Sequence, residues 1–280
     1  MGMVISPRRA LLSLGLLLIA VSRVDAQARG NTTRGNATRG LALLSAFGDS
    51  LPAHRGNDLR CVSCHLENGT RGRAMSWVGT ASRYPRYRSR PGTAESLAQR
   101  INECIARSLA GRMLHEESRE MRDMIAYITS LDAKPRPPAV DTVKLVGNVA
   151  RGGAGYAATC ARCHGADGQG MKAIAPAVWG AGSYSIGAGL ARQTMLATFL
   201  RHNMPFDGVE ALSPQRAADI AAFVLTKARQ DHPGKERDWP KGDPPADVAY
   251  TTTAARKAGL STPAPRPLLR RRVSPDSLSR

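Results

Sequence analysis

Cys61-Val62-Ser63-Cys64-His65 and Cys160-Ala161-Arg162-Cys163-His164 are two copies of one pattern, C-x-x-C-H, set 99 residues apart in a chain of 280. The spacing has a chemical reason. Two thiols one helical turn apart can add to the two vinyl groups of a porphyrin, and the adjacent imidazole then reaches the iron. The pattern is the attachment signal of c-type haem. Two copies predict two covalently bound c-type haems, held by Cys61, Cys64, Cys160 and Cys163, with His65 and His164 as iron ligands. Disulfides or a zinc site are the alternative uses of the four cysteines. Neither accounts for a histidine directly after each pair.

Working outward, each motif is followed by an amphipathic helical pattern that closes its block. In the first block it runs over Glu117–Leu131, with Met121, Met124, Ile125 and Ile128 at spacings of three and four. In the second it runs over Ser213–Ala228, where Ser213-Pro214 gives the N-cap and N1 order of a helix start. Between the blocks, Lys134-Pro135-Arg136-Pro137-Pro138 reads as a linker. The fold class predicted is all-α, a tandem of two cytochrome c-like helical domains joined by a Pro-rich linker. Each domain has fewer than about 100 residues, a size at which a protein-only core is marginal. A buried haem supplies the missing apolar contact.

The full division predicted is a signal peptide over 1–26, a low-complexity spacer over 27–40, and a first domain over 41–133. A linker over 134–142, a second domain over 143–231, an extension over 232–252 and a basic disordered tail over 253–280 follow. The signal reading rests on Arg8-Arg9, the apolar run Ala10–Val21 and the small-residue exit Val24-Asp25-Ala26. That run is short of the roughly 20 residues a spanning helix needs. The mature chain is therefore expected to be exported to the periplasm, with no membrane span. The spacer reading rests on the repeated unit Arg-Gly-Asn-Thr-Thr, Arg-Gly-Asn-Ala-Thr.

The sixth iron ligands need a separate argument. In the second block, Met204 lies 40 residues after His164, within His202-Asn203-Met204-Pro205. A thioether before a proline suits a distal ligand, with His202 as the alternative. In the first block, Cys104 lies 39 residues after His65 and so holds the position that Met204 holds in the second. Met113 is the alternative there, with Cys104 then a buried free thiol. A thiolate lowers the reduction potential of its haem, and methionine raises it.

The net charge is +18. Nucleic acid is a usual partner of so basic a chain, but export and the lack of any nucleic-acid motif point elsewhere. An anionic small molecule or an acidic redox partner fits better. The charge concentrates between the ligands of the first haem. Arg71, Arg73, Arg83, Arg86, Arg88, Arg90, Arg100 and Arg107 are opposed there only by Glu95 and Glu103. The planar guanidinium fork suits sulfonate or phosphate oxygens. A solvated basic surface, or contacts to haem propionates, is the plainer reading for any single arginine.

From Leu41 to Tyr250 the chain resembles the dihaem thiosulfate dehydrogenases, which couple two thiosulfates into tetrathionate. The matching strings are Arg100-Ile-Asn-Glu-Cys104-Ile-Ala-Arg107-Ser, Tyr84-Pro85-Arg86-Tyr87-Arg88, Ser118-Arg-Glu-Met121, Pro176-Ala-Val-Trp179-Gly180, Gly187-Ala-Gly189, Asn203-Met204-Pro205 and Asp238-Trp239-Pro240. The resemblance implies Cys104 as distal ligand of the first haem and thiosulfate held beside it by basic residues. The catalytic set expected on this basis is Cys104 and Arg107, with some of Arg73, Arg86, Arg88 and Arg90. Electrons are expected to pass through the second haem to a soluble acceptor such as a small cytochrome c. The lysine that relatives often carry near the distal methionine is missing, since Arg201 and His202 flank Asn203-Met204. The rival expectation is a plain dihaem electron carrier, which the second block fits equally well. A further rival acts on another sulfur compound or runs chiefly as a tetrathionate reductase.

Overall fold

The computed structural model describes residues 34–208, 211–260 and 266–269. The signal peptide and the start of the spacer lie outside the described residues. The helices used below are α1 (Ala37–Ser45), α2 (Leu97–Arg107), α3 (Arg119–Ser130), α4 (Val149–Thr159), α5 (Gln193–Asn203), α6 (Pro214–Leu225) and α7 (Thr253–Lys257). Among the described residues the only strands form a small antiparallel hairpin, β1 (Arg86–Arg88) and β2 (Thr93–Glu95), which pairs Arg86 with Glu95 and Arg88 with Thr93. Among the described residues the chain is all-α apart from this ribbon, with two similar helical domains in tandem.

The two domains are built on the same helix crossing. In the first, α1 lies across α3; in the second, α4 lies across α6. Each crossing is made close by a glycine. A Cβ on Gly40 would sit 2.0 Å from the Asp123 carbonyl oxygen, and one on Gly152 would sit 1.9 Å from that of Asp219. Each crossing is also pinned by one aspartate. Asp123 accepts from Nε of Arg39 at 2.7 Å, its Nη2 at 2.8 Å and the Asn36 backbone at 2.6 Å. Asp219 accepts from Nε of Arg151 at 2.7 Å, its Nη2 at 3.1 Å and the Asn148 backbone at 2.7 Å. Asn36 and Asn148 also cap their helices, each accepting from the arginine N–H three residues on.

The spacer assignment is corrected at its end. Residues 37–40 belong to α1, and Gly40 is buried against α3. The repeat looks featureless, yet its last copy supplies the cap, the arginine and the glycine of the crossing. The second closing helix starts where its serine predicts, the Ser213 hydroxyl accepting from the Arg216 N–H; the first starts at Arg119 rather than at Glu117, because the Ser118 hydroxyl caps it by accepting from the Met121 N–H. Residues 135–148 carry no helix or strand, in keeping with the prolines.

The extension is tightly held, not loose. Trp239 is fully buried and its N–H donates to the Arg90 carbonyl at 2.8 Å. The disordered-tail assignment is corrected over residues 253–260 and 266–269; its remaining residues lie outside the described ones. Thr252 caps α7, and Leu268 bridges to Arg229, whose carbonyl accepts from the Leu269 N–H at 2.8 Å. Among the described residues no helix is long and apolar enough to cross a membrane.

The Arg151–Asn148 clamp holds the Asp219 carboxyl down at about 2, below its ordinary 3.8. A depressed carboxyl stabilises the fold above its unfolded pKa and loses that contribution as pH falls through the folded one. Stability of the haem-loaded protein should therefore fall between about pH 4 and pH 2. Asp219→Ala removes the buried carboxylate that accepts from Arg151, Asn148 and Gln215, and should lower it by about 1–3 kcal/mol at neutral pH, the scale for hydrogen bonds to a charged group. Guanidinium unfolding of both proteins across that range checks both outcomes. A variant with an unchanged midpoint at pH 7 would remove the clamp from the account.

Candidate haem and substrate site

Each C-x-x-C-H pattern folds as a tight turn that points its histidine inward. Cys61–Ser63 is a single 3-10 turn, with the His65 N–H donating to the Cys61 carbonyl at 3.1 Å. Ala161–His164 is one α-turn, with the His164 N–H donating to the Cys160 carbonyl at 2.9 Å. The rings are fixed in the same way. Nδ1 of His65 donates to the Met75 carbonyl at 2.6 Å, and Nδ1 of His164 to the Pro176 carbonyl at 2.8 Å. His65 also stacks on Trp77 with ring centroids 4.6 Å apart. With Nδ1 occupied, the lone pair is left on Nε2, the arrangement a metal-binding imidazole needs. Burial pushes the His65 ring down to about 4, with Arg100 adding to the effect against the Met75 bond, and burial lowers His164 as well. Both rings are therefore neutral at pH 7 and able to act as donors.

The sulfurs fit covalent haem attachment. All five thiols are unpaired, so the disulfide alternative is not realised. Among the described residues no three His, Cys, Asp or Glu side chains converge on a point that suits a bare metal ion, so a zinc site is not formed either. The Cys61 and Cys64 thiols are pushed up to about 12, first by burial and next by the charge of Cys104. Cys104, on α2, thus faces the same buried space as the first motif. Met113, the alternative sulfur, is 56% exposed. In the second domain Met204 directly follows α5 and packs against the core. His202 instead donates from Nε2 to the Asp141 carbonyl at 2.9 Å.

The arginines divide sharply by what they touch. Arg107 is only 9% exposed and makes a bidentate pair with Asp238 at 2.7 and 2.8 Å, plus a 2.5 Å bond to Glu103. Two carboxylates already neutralise it, and through Asp238 it anchors the extension to the first domain. Arg88 lies 3.7 Å from Glu95 and 3.5 Å from the Tyr84 hydroxyl. Arg86 is exposed on β1. Arg73 is half-buried on the loop that leads to Met75. Arg90 donates to the Gly187 carbonyl at 2.5 Å and lies over the Trp239 ring at 4.7 Å.

Arg100 was not singled out from the sequence, yet it stands nearest the fifth cysteine. It lies one turn before Cys104 on α2, and the Cys104 charge is the main cause of its raised pKa. Among the described residues no carboxylate lies within ion-pair distance of Arg100 or Arg90. The signal that could have found Arg100 is its i, i+4 spacing to Cys104, which puts both on one helix face.

A surface cavity of about 770 Å³ lies elsewhere on α2. Its walls include Gln99, Glu103, Met113 and Glu117 but neither Arg100 nor Cys104. Carboxylates from Glu95, Glu103, Glu116 and Glu117 line it, so a dianion is repelled from that groove.

Comparison with known proteins identifies both domains. Residues 53–133 match the SoxA/TsdA cytochrome c domain, and residues 147–224 match the cytochrome c oxidase cbb3-type subunit III model. A thiosulfate dehydrogenase from Psychrobacter arcticus is 37% identical over 222 residues, covering 75% of this chain and 68% of that protein. One from Allochromatium vinosum is 37% identical over 221 residues, covering 73% and 80%. Among solved structures, the thiosulfate dehydrogenase TsdBA from Marichromatium purpuratum superposes with a TM-score of 0.66 at 29% identity, covering 71% of this chain and 47% of that one. With two haem-binding cytochrome c domains and relatives matched across most of their length, the chain belongs to the thiosulfate dehydrogenase family of c-type cytochromes, which are oxidoreductases.

Proposed function

We propose that this chain is an exported, periplasmic dihaem cytochrome that joins two thiosulfates into tetrathionate at its first haem and passes the electrons through its second to a soluble acceptor such as a small cytochrome c. One observation carries the reading. Cys104 shares a buried space with Cys61 and Cys64, with the Arg100 guanidinium one helical turn away. An electron carrier has no need of a thiolate beside an arginine that pairs directly with no carboxylate.

The haem of the first domain would be held by Cys61, Cys64, His65 and Cys104, and that of the second by Cys160, Cys163, His164 and Met204. When bound, the pair would supply a one-electron acceptor at each site, enough for the two electrons of the reaction. The protein has an electrostatic task. Two thiosulfate dianions repel each other, so fixed positive charge is the expected catalyst. Arg100 neutralises the sulfonate of the substrate next to Cys104, and Arg90 adds a second, partly desolvated charge.

The sulfur chemistry runs in two balanced steps. The Cys104 thiolate and the outer sulfur of one thiosulfate form an S–S bond, releasing two electrons and leaving a Cys–S–S–sulfonate. The outer sulfur of a second thiosulfate then attacks the adduct at its outer sulfur. Tetrathionate leaves, and the Cys104 thiolate returns as the leaving group, which is ordinary thiol exchange chemistry.

Cys104→Gly should retain both haems, counted by alkaline pyridine spectra, while thiosulfate-dependent ferricyanide reduction and tetrathionate formation disappear. Wild-type turnover in that variant ends the proposal. Arg100→Met should keep its haem content and lower kcat/KM for thiosulfate by about 10²-fold, the scale for loss of one preorganised donor. A value within twofold of wild type would show that the charge at position 100 is not used.

A further inference from the structure

The distal loop of the second domain does not stand on its own domain alone. Asn203, immediately before Met204, is completely buried and its Nδ2 donates to the Ala74 carbonyl of the first domain at 3.0 Å. The next carbonyl along that strand of backbone, Met75, is the one that takes the Nδ1 proton of His65 at 2.6 Å. Two adjacent peptide oxygens therefore hold the donors of two different sites.

That backbone has little freedom to absorb a disturbance. Met75 has φ of +69°, a left-handed conformation rare for a side chain-bearing residue. Such a conformation persists only where its surroundings over-determine it, and here hydrogen bonds fix it from both sides. A second tie acts in parallel. Arg71, three residues before Ala74, lies over the Phe206 ring at 4.5 Å and donates to the Phe206 carbonyl at 3.4 Å. Glu67, 3.2 Å from Nε, holds that guanidinium.

We propose that Asn203 is a positioning residue that couples the two haem sites, tying the Met204 loop to the carbonyl pair that orients His65. This rests on the reading of His65 and Met204 as iron ligands. The bond from a ligand histidine's Nδ1 sets both ring orientation and ligand basicity. A displacement of the Met204 loop pulls on Ala74 and so alters the His65 bond one residue on. By the same route, a change at His65 reaches Met204. The amide is suited to this because its carbonyl oxygen has no partner of its own among the described residues, leaving Nδ2–Ala74 as the side chain's one polar anchor.

The test uses the haem-loaded protein and compares Asn203→Leu with Met204→His. Both haem potentials are followed by spectropotentiometric titration, and the ferric spectra of each haem by electron paramagnetic resonance. Asn203→Leu keeps the shape but not the donor. It is expected to shift the potential and the ferric spectrum of the first haem as well as the second. Met204→His changes the second haem's ligation while keeping the Asn203 tie, and it measures what through-space interaction alone does to the first. If Asn203→Leu moves the first haem no more than Met204→His does, or moves only the second, the coupling is overturned. Asn203→Ser serves in the same comparison should the leucine variant fail to load haem. Failure of the ligand reading is separately visible, because the wild-type protein would then lack the methionine-to-iron charge-transfer band.

Discussion

The donation from each motif histidine to a backbone carbonyl is the contact on which both domains are organised. It settles which ring nitrogen faces the interior, and burial then keeps the ring neutral. The accepting carbonyls, Met75 and Pro176, lie 10 and 12 residues beyond their histidines. The intervening loops must therefore be held against the core for either site to exist. Trp77 does this in the first domain by stacking on His65; Trp179 packs with Tyr156 and Phe223 in the second. The helix crossings beneath supply a rigid base, which is why they carry the same asparagine, arginine, glycine and aspartate twice.

Around this frame the chain handles its excess of arginine in two ways. Most of the buried guanidinium groups are spent on structure. Arg107 meets Asp238 and Glu103, and Arg229 meets the carbonyls of Tyr184, Val178 and Val224. Arg100 differs from both: no carboxylate lies within ion-pair distance of it among the described residues, and the first cause of its raised pKa is the charge of Cys104.

What the sequence made legible was local. The C-x-x-C-H patterns, the Ser213 cap of the second closing helix and the proline-marked linker each depend on residues within one or two turns. What it concealed depends on partners far along the chain. Asn36 and Arg39 look like repeats of a polar spacer until Asp123 is seen to accept from both. Arg107 looks like an anion ligand because Asp238 lies 131 residues away. The basic tail looks solvated, yet residues 266–269 run beside Arg229. Arg100 was an error of a different kind, since its helical spacing to Cys104 was there to be read.

The Arg107–Asp238 pair also bears on how the molecule comes into being. Synthesis runs from the N-terminus, so the first domain is made well before the second carboxylate that Arg107 meets and the tryptophan that lies against Arg90. Until residues 238–250 follow, the Arg107 guanidinium has Glu103 alone as its partner, and this face of the domain is completed by a segment that lies beyond the whole second domain in the chain.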